Sequence, residues 1–136
     1  MACFWISLTK LILHPKLAIK REKFNLNNNL QPINVIKFLK EKNMLTPNTL
    51  WEGFCLTEKQ QQENIEHIKE YDIKDINLGY LCSVCDPFII LITELFEITI
   101  KHTYLQKKIT YSNSKKSLHT FHLSSNRGHI DFIEQN

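Results

Sequence analysis

The chain has 136 residues, 43% of them hydrophobic and 23% charged, which is the composition of one globular domain spanning 1–136. Its net charge of +3 comes from 15 Lys and only 2 Arg, which argues against a nucleic-acid-binding protein. The apolar start lacks a basic segment and a cleavage site, and the run FIILITELFEITI is too short and too acidic to span a membrane. We therefore expect a monomer in a reducing, cytoplasmic compartment, with neither nucleic-acid nor membrane partners.

The N-terminal half is predicted to be helical. Apolar residues run almost without interruption from Phe4 to Leu13, which predicts a buried helix. The Asn-rich segment 20–30 predicts a polar loop, and 43–54, which mixes Pro and Gly with large apolar residues, predicts an irregular packed loop. A second helix is expected over 31–42, with a stripe of apolar residues on one face: Ile33, Ile36, Phe38 and Leu39.

Two helix starts carry capping residues. Thr57 is followed three residues later by Gln60, a capping-box pattern that predicts a surface helix to Tyr71. Asp86 can cap a helix in which Pro87 takes the first position, and the residues that follow are almost all apolar. Both patterns predict helices, the second of them buried.

Four short strands are predicted to follow in the C-terminal third. Their sequences are ITIKHTY, KKITYS, LHTFHLSS and HIDFIE, each rich in β-branched or aromatic residues and separated by polar turns. Helices followed by consecutive strands predict an α+β (mixed α/β) fold, with N-terminal helices packed on a small C-terminal sheet.

The spacing of Cys82 and Cys85 with His119 and His122 allows one zinc-site hypothesis. The gap of 33 residues between the two pairs is far longer than in a zinc finger. In addition, the two histidines are an odd number of residues apart, so a strand would point them to opposite faces. A small zinc-stabilised domain is therefore kept as an alternative, and the leading interpretation has no metal and no cofactor.

The other cysteine interpretations differ in strength. Cys55 follows an aromatic residue and is expected in the core. A redox role for the Cys82–Cys85 pair is disfavoured because Asp86 is adjacent and opposes a thiolate. Among the histidines, His67 is expected to be solvated on its polar helix, and His102 to be partly buried in the sheet.

Cys3 has a different setting, at the start of the first apolar helix. There the positive end of the helix dipole and the free N–H groups favour a thiolate nucleophile. Such a nucleophile needs a base and an orienting group. His129 and Asp131 supply both, since residues two apart share a face of a strand, and Asn126 is a second candidate orienter. An ordinary core cysteine and a strand-end histidine remain an open alternative at this point.

The same residues resemble the ovarian-tumour (OTU) family of cysteine proteases. CFWISL at 3–8 is similar to the family segment that begins with the nucleophile, and GHIDFI at 128–133 to the closing histidine with an acid two residues on. INVIKFLKEKN falls where a family helix follows the nucleophile helix, and PFIILITELFEITIKHTY matches a helix that ends in Leu-Phe and passes into a strand. The resemblance spans nearly the whole chain, with 44–85 only loosely similar.

The resemblance implies a papain-type OTU-like fold with Cys3, His129 and Asp131 as catalytic residues. It also implies hydrolysis of isopeptide or peptide bonds of ubiquitin or a ubiquitin-like protein, or the processing of a polyprotein. The family has an Asp-Gly-Asn-like turn before its nucleophile, which shapes the oxyanion pocket, whereas only Met1 and Ala2 precede Cys3 here. We therefore expect either a piece of a longer protein, such as a viral polyprotein, or a catalytically impaired OTU-like binding module.

Overall fold

The structure is a computed structural model, and it describes residues 3–115, 119–126 and 129–133. The described α-helices are α1 (Cys3–Ile12), α2 (Ala18–Lys23), α3 (Pro32–Glu41), α4 (Glu58–Glu70) and α5 (Pro87–Phe96). The described strands are β1 (Thr49–Trp51), β2 (Phe54–Cys55), β3 (Thr99–Tyr104), β4 (Lys107–Asn113), β5 (Thr120–Asn126) and β6 (His129–Ile133). Short 3₁₀ helices cover Pro15–Leu17 and Ile73–Asn77.

The six strands form one mixed sheet in the order β2-β1-β4-β3-β5-β6. The β3–β5 pair is parallel and the other pairs are antiparallel. The predicted α+β class is therefore confirmed, and the four strands predicted in the C-terminal third are all present. Strand β6 lies at one edge of the described sheet.

Helix α5 is the centre of the core, and all ten of its residues are buried. Asp86 caps it, because the Asp86 carboxylate accepts the N–H groups of Phe88 and Ile89 at 3.0 and 3.3 Å. The helix packs against β1, β3 and β4, while α1 packs against β6 and α3. The helices thus cover one face of the sheet, and α1 is the helix that lies over the β6 edge.

The other face of the sheet is polar, as alternation along the strands requires. Lys101 on β3 and Asp131 on β6 are exposed, whereas their neighbours Ile100 and Ile130 are buried. Within the described ranges no helix is long and apolar enough to cross a membrane.

The segment predicted as an irregular loop contains the β1–β2 hairpin. Trp51 pairs with Phe54, so the turn consists of Glu52 and Gly53 alone, with φ of 52° and 83°. Two positive φ values are what a two-residue hairpin turn with the twist of the flanking strands needs. This turn is not apparent from the sequence because Glu, unlike Asn or Asp, is not a usual residue at its first position.

Three further predictions on the N-terminal half need correction. The segment 20–30 is not wholly a loop, since α2 extends through Lys23. Ile33 is not in the core; it is 40% exposed, and Val35 takes the buried position on α3. Cys55 is also exposed rather than buried, because β2 is the short edge strand at the far side of the sheet.

Candidate active site

The N-terminus of α1 and strand β6 meet although they lie at opposite ends of the chain. The Ser7 hydroxyl donates a hydrogen bond of 2.9 Å to the carbonyl oxygen of Ile130, and both residues are buried. This contact holds the first turns of α1 against β6. As a result Cys3, the first residue of α1, and His129, the first residue of β6, line the same cavity of about 190 Å³.

His129 and Asp131 are directly joined. Their side chains point to the same, outer face of β6, and His129 Nε2 lies 2.9 Å from Asp131 Oδ1. The two side chains are 47% and 61% exposed, so the pair adds little to stability, about 0.2–1 kcal/mol for such surface pairs. Its effect is orientational: a carboxylate on Nε2 places the imidazole proton there and leaves the Nδ1 lone pair to act as a base.

Asn126, the second candidate orienter, also lines the cavity and lies opposite His129 in the β5–β6 register. The carboxylate contact of His129 in the structure is to Asp131. The segments Met1–Ala2 and Arg127–Gly128, on which the upstream turn and the approach to His129 depend, lie outside the described residues.

One wall of the cavity is the segment 78–82, which Tyr80 anchors to the core. The Tyr80 ring lies 4.3 Å from that of Phe4, measured between centroids, and 5.5 Å from that of Phe88. Its hydroxyl donates to Asp86 Oδ2 at 2.8 Å and lies 3.2 Å from His67 Nε2. The same aspartate therefore caps α5 and fixes this wall.

His67 was expected to be solvated, and this is only partly correct. The residue is exposed, but its ring contacts those of Tyr80 and Phe88 edge-on, and its Nε2 meets the Tyr80 hydroxyl. His67 thus belongs to the support of the cavity wall.

Cys3 and Cys82 line the cavity, and their environments differ. Burial and the charge of Asp86 raise the pKa of the Cys82 thiol far above its usual range. The same causes raise the pKa of Cys85 to about 11. Neither thiol is suited to act as a nucleophile at neutral pH, which agrees with the argument from the sequence against a redox pair. Cys3 is the cavity cysteine that lies at the start of a helix, and it shares the cavity with His129.

The zinc hypothesis is wrong for the residues it named. Within the described ranges, no three His, Cys, Asp or Glu side chains are placed to hold a metal ion. Cys82 lies at the cavity, whereas His119 lines a different hollow with Lys16 and Glu97. His119 precedes β5, which begins at Thr120, so strand alternation does not decide its direction relative to His122.

A cavity residue and its buried partner were not given a role from the sequence. Ser125 lines the cavity, and its hydroxyl oxygen lies 2.6 Å from Nε2 of His102 on the neighbouring strand. His102 was expected to be partly buried and is in fact completely buried. Only the parallel β3–β5 pairing brings these two residues together, and nothing in the local sequence indicates that pairing.

The cavity brings together residue types used in nucleophilic acyl transfer: a thiol at a helix start, and an imidazole with a carboxylate that orients it. No family model, curated protein or solved structure matches this chain. The resemblance to the ovarian-tumour family therefore stays a prediction that rests on the short motifs at 3–8 and 128–133.

Proposed function

We propose that this chain is an OTU-like cysteine protease that hydrolyses isopeptide or peptide bonds of ubiquitin or a ubiquitin-like protein. One observation carries the proposal: Cys3 and His129, separated by 126 residues, line one cavity, with Asp131 held on His129 at 2.9 Å. General packing does not require a cysteine and a histidine from opposite ends of a chain to meet, whereas a nucleophile and its base must.

The proposed reaction is acyl transfer through Cys3. His129 Nδ1 takes the Cys3 proton, and the thiolate attacks the carbonyl carbon of the scissile bond. The protonated His129, stabilised by Asp131, then gives its proton to the departing amine, and an acyl-thioester on Cys3 remains. A water molecule, deprotonated by His129, hydrolyses that thioester and restores the thiol.

The choice of a ubiquitin-like substrate rests on the family resemblance, and the cavity rim is compatible with it. Leu78 and Leu81, both in the wall segment 78–82, are 80% and 90% exposed. Two exposed leucines beside a site offer apolar area that a folded protein substrate would cover on binding.

Labelling by ubiquitin that carries an electrophile at its C-terminus tests the proposal. We expect the wild type to form a covalent adduct at Cys3, and Cys3→Ala and His129→Gln to lose it. Cys82→Ala is the matched control, since it removes the other cavity cysteine and should leave labelling intact.

Labelling that persists in Cys3→Ala would refute the assignment of the nucleophile. Reversible binding of ubiquitin without any adduct would instead support the alternative of a catalytically impaired binding module. If the wild type neither binds ubiquitin nor is labelled by it, ubiquitin is not the substrate.

A further inference from the structure

Ser125 and His102 form a polar pair at the base of the cavity. Ser125 is only 8% exposed, yet it lines the cavity together with Cys3 and His129. His102 is completely buried behind it, with Nε2 2.6 Å from the Ser125 hydroxyl oxygen. Buried polar groups are usually hydrogen-bonded, so the partners present indicate where the proton of His102 lies.

The backbone holds Ser125 firmly. In the parallel pairing of β3 and β5, Ser125 lies opposite Tyr104, and the Ser125 carbonyl oxygen accepts the Leu105 N–H at 3.0 Å. On the other side Ser125 pairs with Ile130 of the catalytic strand β6. Ser125 and Ile130 are both buried and share the face of the sheet on which α1 lies, so the Ser125 side chain lies on the side of the sheet where α1 begins with Cys3.

The proton on His102 belongs on Nε2. Burial lowers the pKa of His102, so its imidazole is neutral and carries one proton. Nδ1 is buried and meets no hydrogen-bond partner among the described residues. A proton on Nδ1 would therefore be a buried donor facing no protein acceptor, whereas a proton on Nε2 is donated to Ser125. It follows that the Ser125 oxygen is an acceptor towards His102 and that its own hydrogen is available to the cavity.

We propose that Ser125 donates a hydrogen bond to the carbonyl oxygen of the acyl group that Cys3 attacks, with His102 as its positioning residue. When the thiolate adds to the carbonyl carbon, the carbonyl π electrons move onto that oxygen, and a preformed donor stabilises the negative charge. The donor is neutral and fixed before substrate binds, so no reorganisation is needed. This inference rests on the proposed function of Cys3 and His129.

The reverse arrangement, with Ser125 as a second nucleophile and His102 as its base, is less well supported. A base of this kind needs an orienting acceptor on its other nitrogen, as Asp131 provides for His129. Nδ1 of His102 has no such acceptor among the residues that the structure describes.

Two reactions of Cys3 separate this role from a structural one. Alkylation by iodoacetamide needs the thiolate but creates no oxyanion, whereas hydrolysis of p-nitrophenyl acetate needs both. For Ser125→Ala we expect kcat for the ester to fall about 10²–10³-fold, the usual loss for one oxyanion donor, with KM little changed. Alkylation of Cys3, followed by mass spectrometry of its peptide, should keep the wild-type rate.

Further variants serve as controls for these two reactions. Ser112→Ala, a serine of β4 away from the cavity, should behave as the wild type in both reactions. His102→Gln keeps an amide donor towards Ser125 and should retain more ester hydrolysis than His102→Leu. Should Ser125→Ala fail to fold, Ser125→Cys replaces the hydroxyl by a weak donor of similar size and should show the same loss of kcat.

Wild-type kcat in Ser125→Ala would overturn the inference. So would a parallel loss of alkylation, which would mean that Ser125 only supports the structure around Cys3. A wild type that hydrolyses no ester above the Cys3→Ala background would refute the proposed function itself, and this inference with it.

Discussion

At the scale of the single residue, side chains of the same type have different surroundings and therefore different chemistry. Of the cavity cysteines, Cys82 is made unreactive by burial and by Asp86, while Cys3 lies at the start of α1 and shares the cavity with His129. The histidines differ in the same way: His129 is exposed and bonded to a carboxylate, and His102 is buried and bonded to a hydroxyl. The sequence indicated the first histidine, because an acid two residues away is visible locally. It could not indicate the second, whose partner Ser125 is 23 residues away.

The burial of His102 makes stability depend on pH in a defined direction. Burial lowers its pKa in the folded protein, so the unfolded chain binds a proton more readily. The contribution is fully present above the unfolded value of about 6.5 and is lost as the pH falls from there through the folded pKa. We expect unfolding by urea to show a loss of stability as the pH falls below about 6.5, part of it due to His102.

His102→Gln is the variant that isolates this contribution, because its amide does not titrate and all other histidines stay in place. Its loss of stability over the same pH range should be smaller than that of the wild type. Identical pH profiles for the two proteins would contradict the prediction.

At the scale of the element, local chemistry determined most helices and strands. The capping pairs at Thr57 and Asp86 start α4 and α5 where the sequence predicted, because each cap is satisfied within three residues. The hairpin at 49–55 was missed because its strands are only three and two residues long, below the length at which alternation is recognisable. Its position in the sheet comes from pairing of β1 with β4, some 60 residues away.

The cap of α4 gives a direct test. The Thr57 hydroxyl accepts the Gln60 N–H at 3.1 Å, and the Gln60 side chain accepts the Thr57 N–H at 2.8 Å. Thr57→Ala should lower the free energy of unfolding by about 1 kcal/mol, the usual loss for an N-cap. Thr57→Ser keeps the oxygen and should stay close to the wild type, and chemical denaturation of the three proteins measures the difference. Equal losses in both variants would show that the methyl group, rather than the cap, matters.

At the scale of the whole molecule, the candidate site depends on contact between α1 and β6, which are far apart in the sequence. The sequence could propose Cys3, His129 and Asp131 from their types, but their meeting requires α1 to pack over the sheet edge formed by β6. That packing is tertiary: it depends on the Ser7–Ile130 hydrogen bond and on apolar contact between the first helix and the last described strand. The pattern of apolar residues in each segment does not show which distant segment it will contact. For this reason the cavity and its wall at 78–82 could not be predicted.

Two isoleucines of β6 allow this dependence to be measured. Ile130 is 5% exposed and lies beneath α1, whereas Ile133, three residues on, is 44% exposed. Ile130→Ala should cost about 2–5 kcal/mol of unfolding free energy, because the lost methyl and methylene groups leave a cavity. Ile133→Ala should cost about 0.5 kcal/mol or less, as is usual for surface positions.

The Ile130→Ala variant should also react more slowly at Cys3, even at temperatures where it stays folded, because looser packing of α1 on β6 would disturb the cavity that Cys3 and His129 share. Labelling by the electrophilic ubiquitin, scored beside circular dichroism, measures both effects on one sample. Ile130→Ala that is destabilised but labels at the wild-type rate would mean that the site does not depend on this packing. A large loss of stability in Ile133→Ala would contradict the surface assignment and mean that Ile133 makes stabilising contacts on β6.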